Sequence, residues 1–253
     1  MTTLGFQLYS AREFQPFSEV FAKLAKAGYK EVEGYGAMYA ALDDAALKAM
    51  RADLDSNGLT MPTGHFGLDM LEGDPERAID IAGTLGIEAI YAPHIMPDQR
   101  PTDAEGWHAF GARLEKAKVP FKYAGLDFGW HNHDFEFVAL PDGSLPIEHI
   151  FTGGPSLSWE ADLAWVARGG ADPLHWIKTY GPRITAVHVK DVAPEGENKD
   201  EGGWADVGHG TLDWAGLMAA LKSTKARHFI VEHDNPNDLD RVITRSIASF
   251  KTY

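Results

Sequence analysis

The chain has 253 residues, no cysteine and a formal net charge of −14. This length is close to the roughly 250 residues of one (β/α)8 barrel, and a hydrophobic share of 44% is ample for one large core. The absence of cysteine excludes disulfides, thiolate metal sites and cysteine nucleophiles, and the acidic charge disfavours nucleic acids and anionic membranes as partners.

Eight short apolar runs, most of them ending on His, Glu or Asp, alternate with segments of helical spacing. The runs cover residues 5–10, 31–35, 61–66, 89–94, 127–133, 157–162, 184–191 and 228–234. The spacing of apolar residues predicts helices over 17–27, 42–57, 74–85, 102–118, 171–180, 214–221 and 239–250. This alternation predicts an α/β fold, and eight units favour a single closed (β/α)8 TIM barrel over residues 1–253.

A doubly wound open sheet is the alternative for such an alternation. That fold expects a glycine-rich phosphate-binding turn after the first strand, where this chain has Ser10-Ala-Arg-Glu-Phe14. Two connections exceed the usual length: residues 135–154 contain the turn signal Pro141-Asp-Gly143, and residues 192–213 are rich in glycine and charge. Both follow strands on the side that carries the active site of a barrel, so we predict rim loops within one domain.

Polar residues at the ends of the last three strands form the first candidate site. Asp162, His188 and Glu232 end the sixth, seventh and eighth strands. These ends are neighbours in a closed barrel, and carboxylate and imidazole groups that converge from different strands are ligands for a divalent cation. In the fifth strand His131 and His133 share one face, and either could complete the metal's ligands, as could Glu136 if the strand bends.

The other strand ends predict a wall that binds substrate. Its candidates are Glu33, His65, His94, His133, Glu160 and Lys190. A ring of His and Glu side chains suits hydrogen bonding to a polyhydroxylated ligand. Aromatic faces for a sugar ring could come from Tyr9, Tyr35, Trp130 and Trp165. For Lys190 two roles are open, because it could neutralise an enolate oxygen or pair with Asp162.

Five short segments carry a more specific signal. They are Trp130-His-Asn-His-Asp-Phe-Glu-Phe137, Glu160-Ala-Asp-Leu-Ala-Trp-Val166, Val187-His-Val-Lys-Asp191, Val207-Gly-His-Gly210 and Val231-Glu-His-Asp234. In order and spacing the chain resembles the xylose isomerase-like TIM barrels, the sugar phosphate isomerase/epimerase superfamily, over essentially its whole length. The resemblance implies a divalent metal, with Mn²⁺ as the first expectation and Mg²⁺, Co²⁺ or Zn²⁺ as alternatives, on Asp162, His188 and Glu232.

The fourth ligand position departs from the pattern of the ketose 3-epimerases in this superfamily. Those enzymes carry Glu where this chain has His131, and their two Glu residues exchange the substrate proton from opposite faces. The departure implies either a single base, Glu232, or a second base drawn from His131, His133 or Glu136.

We therefore predict a divalent-metal-dependent sugar isomerase or epimerase that removes a proton next to the carbonyl of a ketose or keto-sugar. The alternative is a lyase or dehydratase that acts on a 3-keto-glycoside or inosose through the same metal-stabilised enolate. A metal-dependent endonuclease of this fold is disfavoured by the charge of −14, and a non-catalytic sugar-binding barrel by the many titratable strand ends.

The predicted partner is a small sugar or cyclitol, without nucleic acid or membrane, and the sequence leaves monomer and homo-oligomer open. We expect a cytoplasmic location, because the N-terminus lacks the basic and apolar regions of a secretory signal.

Overall fold

A closed barrel of eight parallel strands forms the centre of the computed structural model, which describes residues 3–253. The strands of these residues are β1 (Leu4–Gln7), β2 (Glu31–Gly34), β3 (Thr60–His65), β4 (Ala89–Ala92), β5 (Asp127–His131), β6 (Ser158–Asp162), β7 (Ile184–Val189), β8 (Asp191–Val192), β9 (Trp204–Ala205) and β10 (His228–Val231). Strands β8 and β9 form a separate antiparallel hairpin, and the other eight follow one another around the barrel until β10 pairs with β1. The predicted (β/α)8 barrel is confirmed.

Helices connect the strands on the outside of the barrel. They are α1 (Phe17–Ala27), α2 (Gly36–Ala40), α3 (Asp44–Ser56), α4 (Leu68–Gly73), α5 (Pro75–Leu85), α6 (Ala104–Tyr123), α7 (Pro146–Gly153), α8 (Leu163–Arg168), α9 (Pro173–Tyr180), α10 (Trp214–Leu221) and α11 (Leu239–Phe250). Every predicted helix is present, but the end predicted for α6 at residue 118 is wrong. The helix continues through Pro120 to Tyr123, which lets Phe121 stack on Phe128 of the barrel with ring centroids 5.3 Å apart.

Local sequence signals fix many of the helix ends. The side chains of Asp43, Asp74 and Asp103 each accept a backbone N–H in the first turn of a helix, which satisfies a donor that has no partner inside the helix. Helices α1 and α5 end at Gly28 and Gly86, with φ of 108° and 82°. Only glycine adopts this left-handed conformation without steric cost, so both residues stop the helix where the sequence predicted.

The rim loop predicted over 135–154 is wrong in its second half. Residues 146–153 form α7, which starts at Pro146, a residue suited to the first helical position because it has no N–H to satisfy. The helix packs tightly on α6: a Cβ atom added at Gly153 would lie 2.0 Å from the carbonyl oxygen of His108. Residues 192–213 contain the β8–β9 hairpin apart from its first residue, Asp191, and no α-helix.

Apolar side chains fill the space between barrel and helices, and the largest fully buried ones include Trp130, Trp159 and Trp214. Among residues 3–253, no helix combines the length with the apolar character that crossing a bilayer requires.

Candidate active site

Four side chains from neighbouring strands converge at the carboxyl end of the barrel. They are His131 on β5, Asp162 on β6, His188 on β7 and Glu232 directly after β10. All four are buried, and one ligand-capable atom of each lies within 4.8 Å of the others. The strand register accounts for the convergence, because Asp162 pairs directly with His188. These are the four side chains that the sequence predicted as metal ligands.

Asp162 provides the clearest test of whether a cation fits this group. Its Oδ1 accepts the N–H of Trp165 at 2.8 Å, at the start of α8. Its Oδ2 is buried, has no hydrogen-bond partner among residues 3–253, and lies 3.8 Å from His188 Nδ1. A buried carboxylate oxygen without a donor is costly, and the nearby Lys190 Nζ, at 3.7 Å, is beyond hydrogen-bond distance. Two imidazoles and two carboxylates suit a divalent transition metal, so these residues fit the predicted ion.

A second layer of polar side chains lies against the imidazoles. Glu160 Oε2 hydrogen-bonds His65 and lies 3.1 Å from His131 Nδ1, while Glu33 Oε1 lies 2.8 Å from His188 Nε2. Gln7 donates to Glu33 at 2.7 Å. Such contacts fix the orientation and tautomer of imidazoles that bind a metal. Both Glu33 and Glu160 are fully buried outside the wall of the cavity, so the structure places these two predicted substrate-binding residues behind the histidines.

Burial and neighbouring charges shift the pKa values of the buried side chains around the candidate ligands, raising some and lowering others. Burial raises the pKa of Asp162 to about 6, and burial together with the charge of Glu33 raises the pKa of Glu160 to about 7. Although burial opposes it, His65 and His188 lower the pKa of Glu33 to about 2. Burial lowers the pKa of His131 well below its usual range. A neutral imidazole is the form that binds a metal.

Lys190 is fully buried and pairs with carboxylates. Its Nζ lies 2.6 Å from Asp234, 3.1 Å from Glu232 and 3.7 Å from Asp162. It also lies 4.1 Å from the centre of the Trp204 ring. Lys190 is not part of the cavity wall, so the structure favours the pairing role that the sequence left open for it. Asp234, its nearest partner, was missed by sequence reasoning although it lies two residues after Glu232.

Glu136 lies at the bend that follows β5. Its Oε1 accepts the indole N–H of Trp130 and its Oε2 accepts the backbone N–H of His133, both at 2.9 Å. Burial raises the pKa of Glu136 to about 8. Both oxygens of Glu136 thus accept hydrogen bonds away from the cavity, so the structure does not support Glu136 as a base. Trp130 is fully buried, so it does not offer an aromatic surface to a sugar ring.

Asn132 is a second residue that sequence reasoning missed. Its Oδ1 accepts the indole N–H of Trp159 at 2.8 Å and the backbone N–H of Asp162 at 3.0 Å. Its Nδ2 donates to the carbonyl oxygen of Asp162 at 3.0 Å. Asn132 therefore fixes the backbone of the candidate ligand Asp162 against β5. Its position between His131 and His133 was the only sequence signal for this role.

A cavity of about 640 Å³ opens above the four converging side chains. Its wall includes Tyr9, Arg12, Tyr35, His65, His94, His131, His133, Trp165, Glu232, Asp234 and Asn235. The structure thus brings the predicted residues His65, His94 and His133 together with two of the four candidate metal ligands. His133 Nδ1 is buried and has no partner among residues 3–253.

Residues 21–253 match the family described as the xylose isomerase-like TIM barrel. The chain belongs to this family. The resemblance found in the sequence is thereby confirmed. A curated relative, the inosose dehydratase of Klebsiella pneumoniae (strain 342), is 29% identical over 211 residues, which cover 70% of this chain. The match spans 64% of the length of that relative.

Solved structures of this xylose isomerase-like fold superpose over nearly the whole chain. A sugar phosphate isomerase/epimerase from Parabacteroides distasonis is 21% identical, with a TM-score of 0.79 over 98% of this chain and 92% of that one. The IolI protein, solved with a binding zinc atom, is 16% identical, with a TM-score of 0.77 over 99% of this chain and 97% of that one. At these identities the likeness establishes the fold alone.

Proposed function

We propose that the protein is a divalent-metal-dependent sugar isomerase or epimerase that removes a proton next to the carbonyl of a ketose or keto-sugar. The observation that carries this proposal is the buried group of His131, Asp162, His188 and Glu232 at the base of a cavity. These four side chains would hold the ion. A bound divalent cation supplies a Lewis acid that polarises the carbonyl and stabilises the charge that develops on its oxygen.

Glu232 is our candidate for the base. It lines the cavity, while its Oε2 lies 3.0 Å from His188 Nδ1 and 3.1 Å from Lys190 Nζ. Although burial opposes ionisation, Lys190 and His188 lower the pKa of Glu232 well below its usual range. Glu232 is therefore ionised at neutral pH, which is the form that can accept a proton.

The side chains of the cavity wall support our proposal that the substrate is polyhydroxylated. His65, His94 and His133 offer ring nitrogens at one side of the cavity, and Trp165 offers an aromatic face. This combination suits hydroxyl groups and the C–H faces of a sugar or cyclitol ring. The names of the relatives, an inosose dehydratase and a sugar phosphate isomerase/epimerase, support the same substrate class.

Manganese is our first expectation for the metal, and zinc, cobalt and magnesium are the alternatives. The zinc atom of the related IolI structure supports a divalent ion in this fold without selecting among them. The mixed imidazole and carboxylate ligands are accepted by each of these ions.

A lyase or dehydratase acting on a 3-keto-glycoside or inosose is the second candidate. Two observations favour it: the inosose dehydratase relative, and the neutral His131 in the position where a two-base epimerase needs a carboxylate. One base is sufficient to remove the proton, after which a leaving group departs from the neighbouring carbon instead of the proton returning.

Proton NMR in D₂O tests the shared step and separates the two reactions. The Mn²⁺-loaded protein would be incubated with ketoses, inososes and 3-keto-glycosides. We expect deuterium at the carbon next to the carbonyl, and the connectivity of the product distinguishes isomerisation from elimination. Removal of the metal with a chelator should abolish the exchange.

Two substitutions test the residues. Glu232→Gln should lower turnover by about 10²–10⁴-fold, the usual contribution of a general base, and Asp162→Asn should lower the bound metal per chain. Asp98→Asn, an exposed carboxylate at the rim, is the matched control and should change neither quantity. Full turnover with metal still bound in both site variants would show that the assignment is wrong.

A further inference from the structure

The cavity is larger than the smallest sites that bind small molecules. Its volume of about 640 Å³ is about twice the roughly 300 Å³ at the lower end for small-molecule sites. The candidate metal ligands account for only one side of it. The remaining volume lies against a wall to which the proposed reaction assigns no role.

This second wall lies across the mouth of the barrel from His131 and beside Glu232, because β1 pairs with β10. Tyr9 and Arg12 follow β1, and Tyr35 follows β2. In the closed strand order, β1 lies four strands from β5 in either direction, and β2 lies four strands from β6. A ligand that contacts His131 on β5 can therefore extend across the mouth of the barrel towards these three side chains.

Tyr9, Tyr35 and Arg12 pack against one another and form one corner of the cavity. The rings of Tyr9 and Tyr35 meet edge to face, with centroids 5.4 Å apart. The guanidinium of Arg12 lies 4.0 Å from the centre of the Tyr9 ring, and its Nη1 donates to the carbonyl oxygens of Tyr9 at 2.9 Å and Asp234 at 2.6 Å. Tyr9 nevertheless stays 39% exposed, so its ring is available to a ligand.

The polar groups around this corner favour an uncharged ligand over a negatively charged one. Asp234 and Glu232 are both on the cavity wall, and Glu13 lies 3.8 Å from Arg12. Arg12 already contacts Glu13 and two backbone carbonyl oxygens, and the acidic residues Asp234 and Glu232 share the cavity wall with it, which disfavours a phosphate. Aromatic faces beside carboxylate, amide and guanidinium groups suit the C–H faces and hydroxyls of a sugar ring.

We propose that Tyr9, Tyr35 and Arg12 form a subsite for a second, uncharged sugar ring, so that the substrate is a glycoside of the keto-sugar. The inference rests on the proposed function, because the first ring is placed at the metal end. It makes the protein selective for a disaccharide over a single sugar that carries the same keto group.

A matched pair of substrates tests the subsite. The probes are 3-keto-cellobiose and methyl 3-keto-β-glucoside, which differ only in the second ring. In Tyr9→Ala the ratio of kcat/KM for the disaccharide to that for the methyl glycoside should fall about tenfold, the size expected for one lost aromatic contact. Tyr9→Phe keeps the ring and should retain most of the ratio. Tyr123→Ala, at a ring that is 87% exposed on α6, should leave the ratio unchanged.

The outcomes separate failure of the subsite from failure of the reaction. If both substrates react and Tyr9→Ala leaves the ratio unchanged, the subsite is overturned while the proposed function stands. If neither substrate reacts, calorimetric titration with cellobiose and methyl β-glucoside decides. Tighter binding of cellobiose that is lost in Tyr9→Ala supports the subsite without turnover, and equal binding of the two sugars overturns it.

Discussion

The two carboxylate oxygens of Asp162 have different roles, one in the fold and one in the candidate site. Oδ1 accepts the N–H of Trp165 at the start of α8, while Oδ2 faces His188 and Lys190 without a hydrogen bond. Asn132 fixes the backbone of the same residue from β5. A ligand held in this way keeps its position before any ion arrives, so little order has to be created on binding.

Glu136 gives a prediction for stability against pH. Its pKa in the folded protein is raised by burial from an ordinary value of 4.5 to about 8. The protonated form therefore favours the folded state, with its full contribution below pH 4.5 and a loss as the pH rises to about 8. Across this window Glu136 should lower the free energy of unfolding by up to about 1.4 kcal/mol per pH unit.

Glu136→Gln removes this titration. Urea unfolding at intervals across the window, with chelator present to exclude metal binding, should give a flatter dependence on pH for the variant than for the parent protein. Glu105→Gln, at an exposed position in the first turn of α6, should keep the parent slope. Equal slopes for parent and Glu136→Gln would contradict a buried, protonated carboxyl at this position.

At the scale of elements, the segment after β7 is organised around one carboxylate. Asp191 Oδ2 accepts the N–H groups of Gly208 at 2.9 Å and Gly210 at 3.2 Å, and its Oδ1 accepts those of Val192 and Leu212. A Cβ atom at Gly210 would lie 2.2 Å from Asp191 Oδ1, so only glycine allows this approach. The β8–β9 hairpin that this carboxylate anchors also carries Trp204, which covers Lys190.

Asp191→Ala leaves these four backbone donors without their acceptor. We expect a loss of about 3 kcal/mol in the free energy of unfolding, measured by urea denaturation, and faster proteolysis within residues 194–203. Asp191→Asn retains one acceptor oxygen, so its free energy of unfolding should lie between those of Asp191→Ala and the parent protein. If Asp191→Ala unfolded at the same urea concentration as the parent, solvent would be satisfying the donors, and the segment would not depend on this residue.

The elements that the sequence predicted are those with a local signal. Apolar runs, most of them ending on His, Glu or Asp, mark all eight barrel strands, and Asp or Gly residues mark several helix ends. Helix α7 was missed because its eight residues follow a strong turn signal at Pro141-Asp-Gly143. Its main support is the close contact with α6 at Gly153, which no local pattern reveals.

The candidate site likewise has a part that the sequence predicted and a part that it did not. The convergence of Asp162, His188 and Glu232 was predictable because the topology of a barrel fixes where the strand ends meet. The depth of Glu160 and the hydrogen bonds of Glu136 were not predictable, because they depend on side-chain conformations that the alternation along a strand leaves open.

At the scale of the whole molecule, the candidate ligands link four consecutive strands of the barrel, in the order β10, β7, β6 and β5. An ion that binds these side chains in the folded chain, and not in the unfolded chain, shifts the equilibrium towards the fold. The metal should thus stabilise the entire barrel and not only the cavity, since unfolding separates strands that lie far apart in the sequence.

This coupling predicts the response to metal removal. Mn²⁺ at a hundred times its Kd should add about 2.7 kcal/mol to the free energy of unfolding, which corresponds to a rise in Tm of about 5–10 °C for a chain of this length. Thermal unfolding of chelated and reloaded protein measures the difference. Asp98→Asn should keep the full rise, whereas Asp162→Asn should lose most of it, because among the four candidate ligands Asp162 has the buried carboxylate oxygen without a donor. An equal rise in both variants would place the ion elsewhere in the chain.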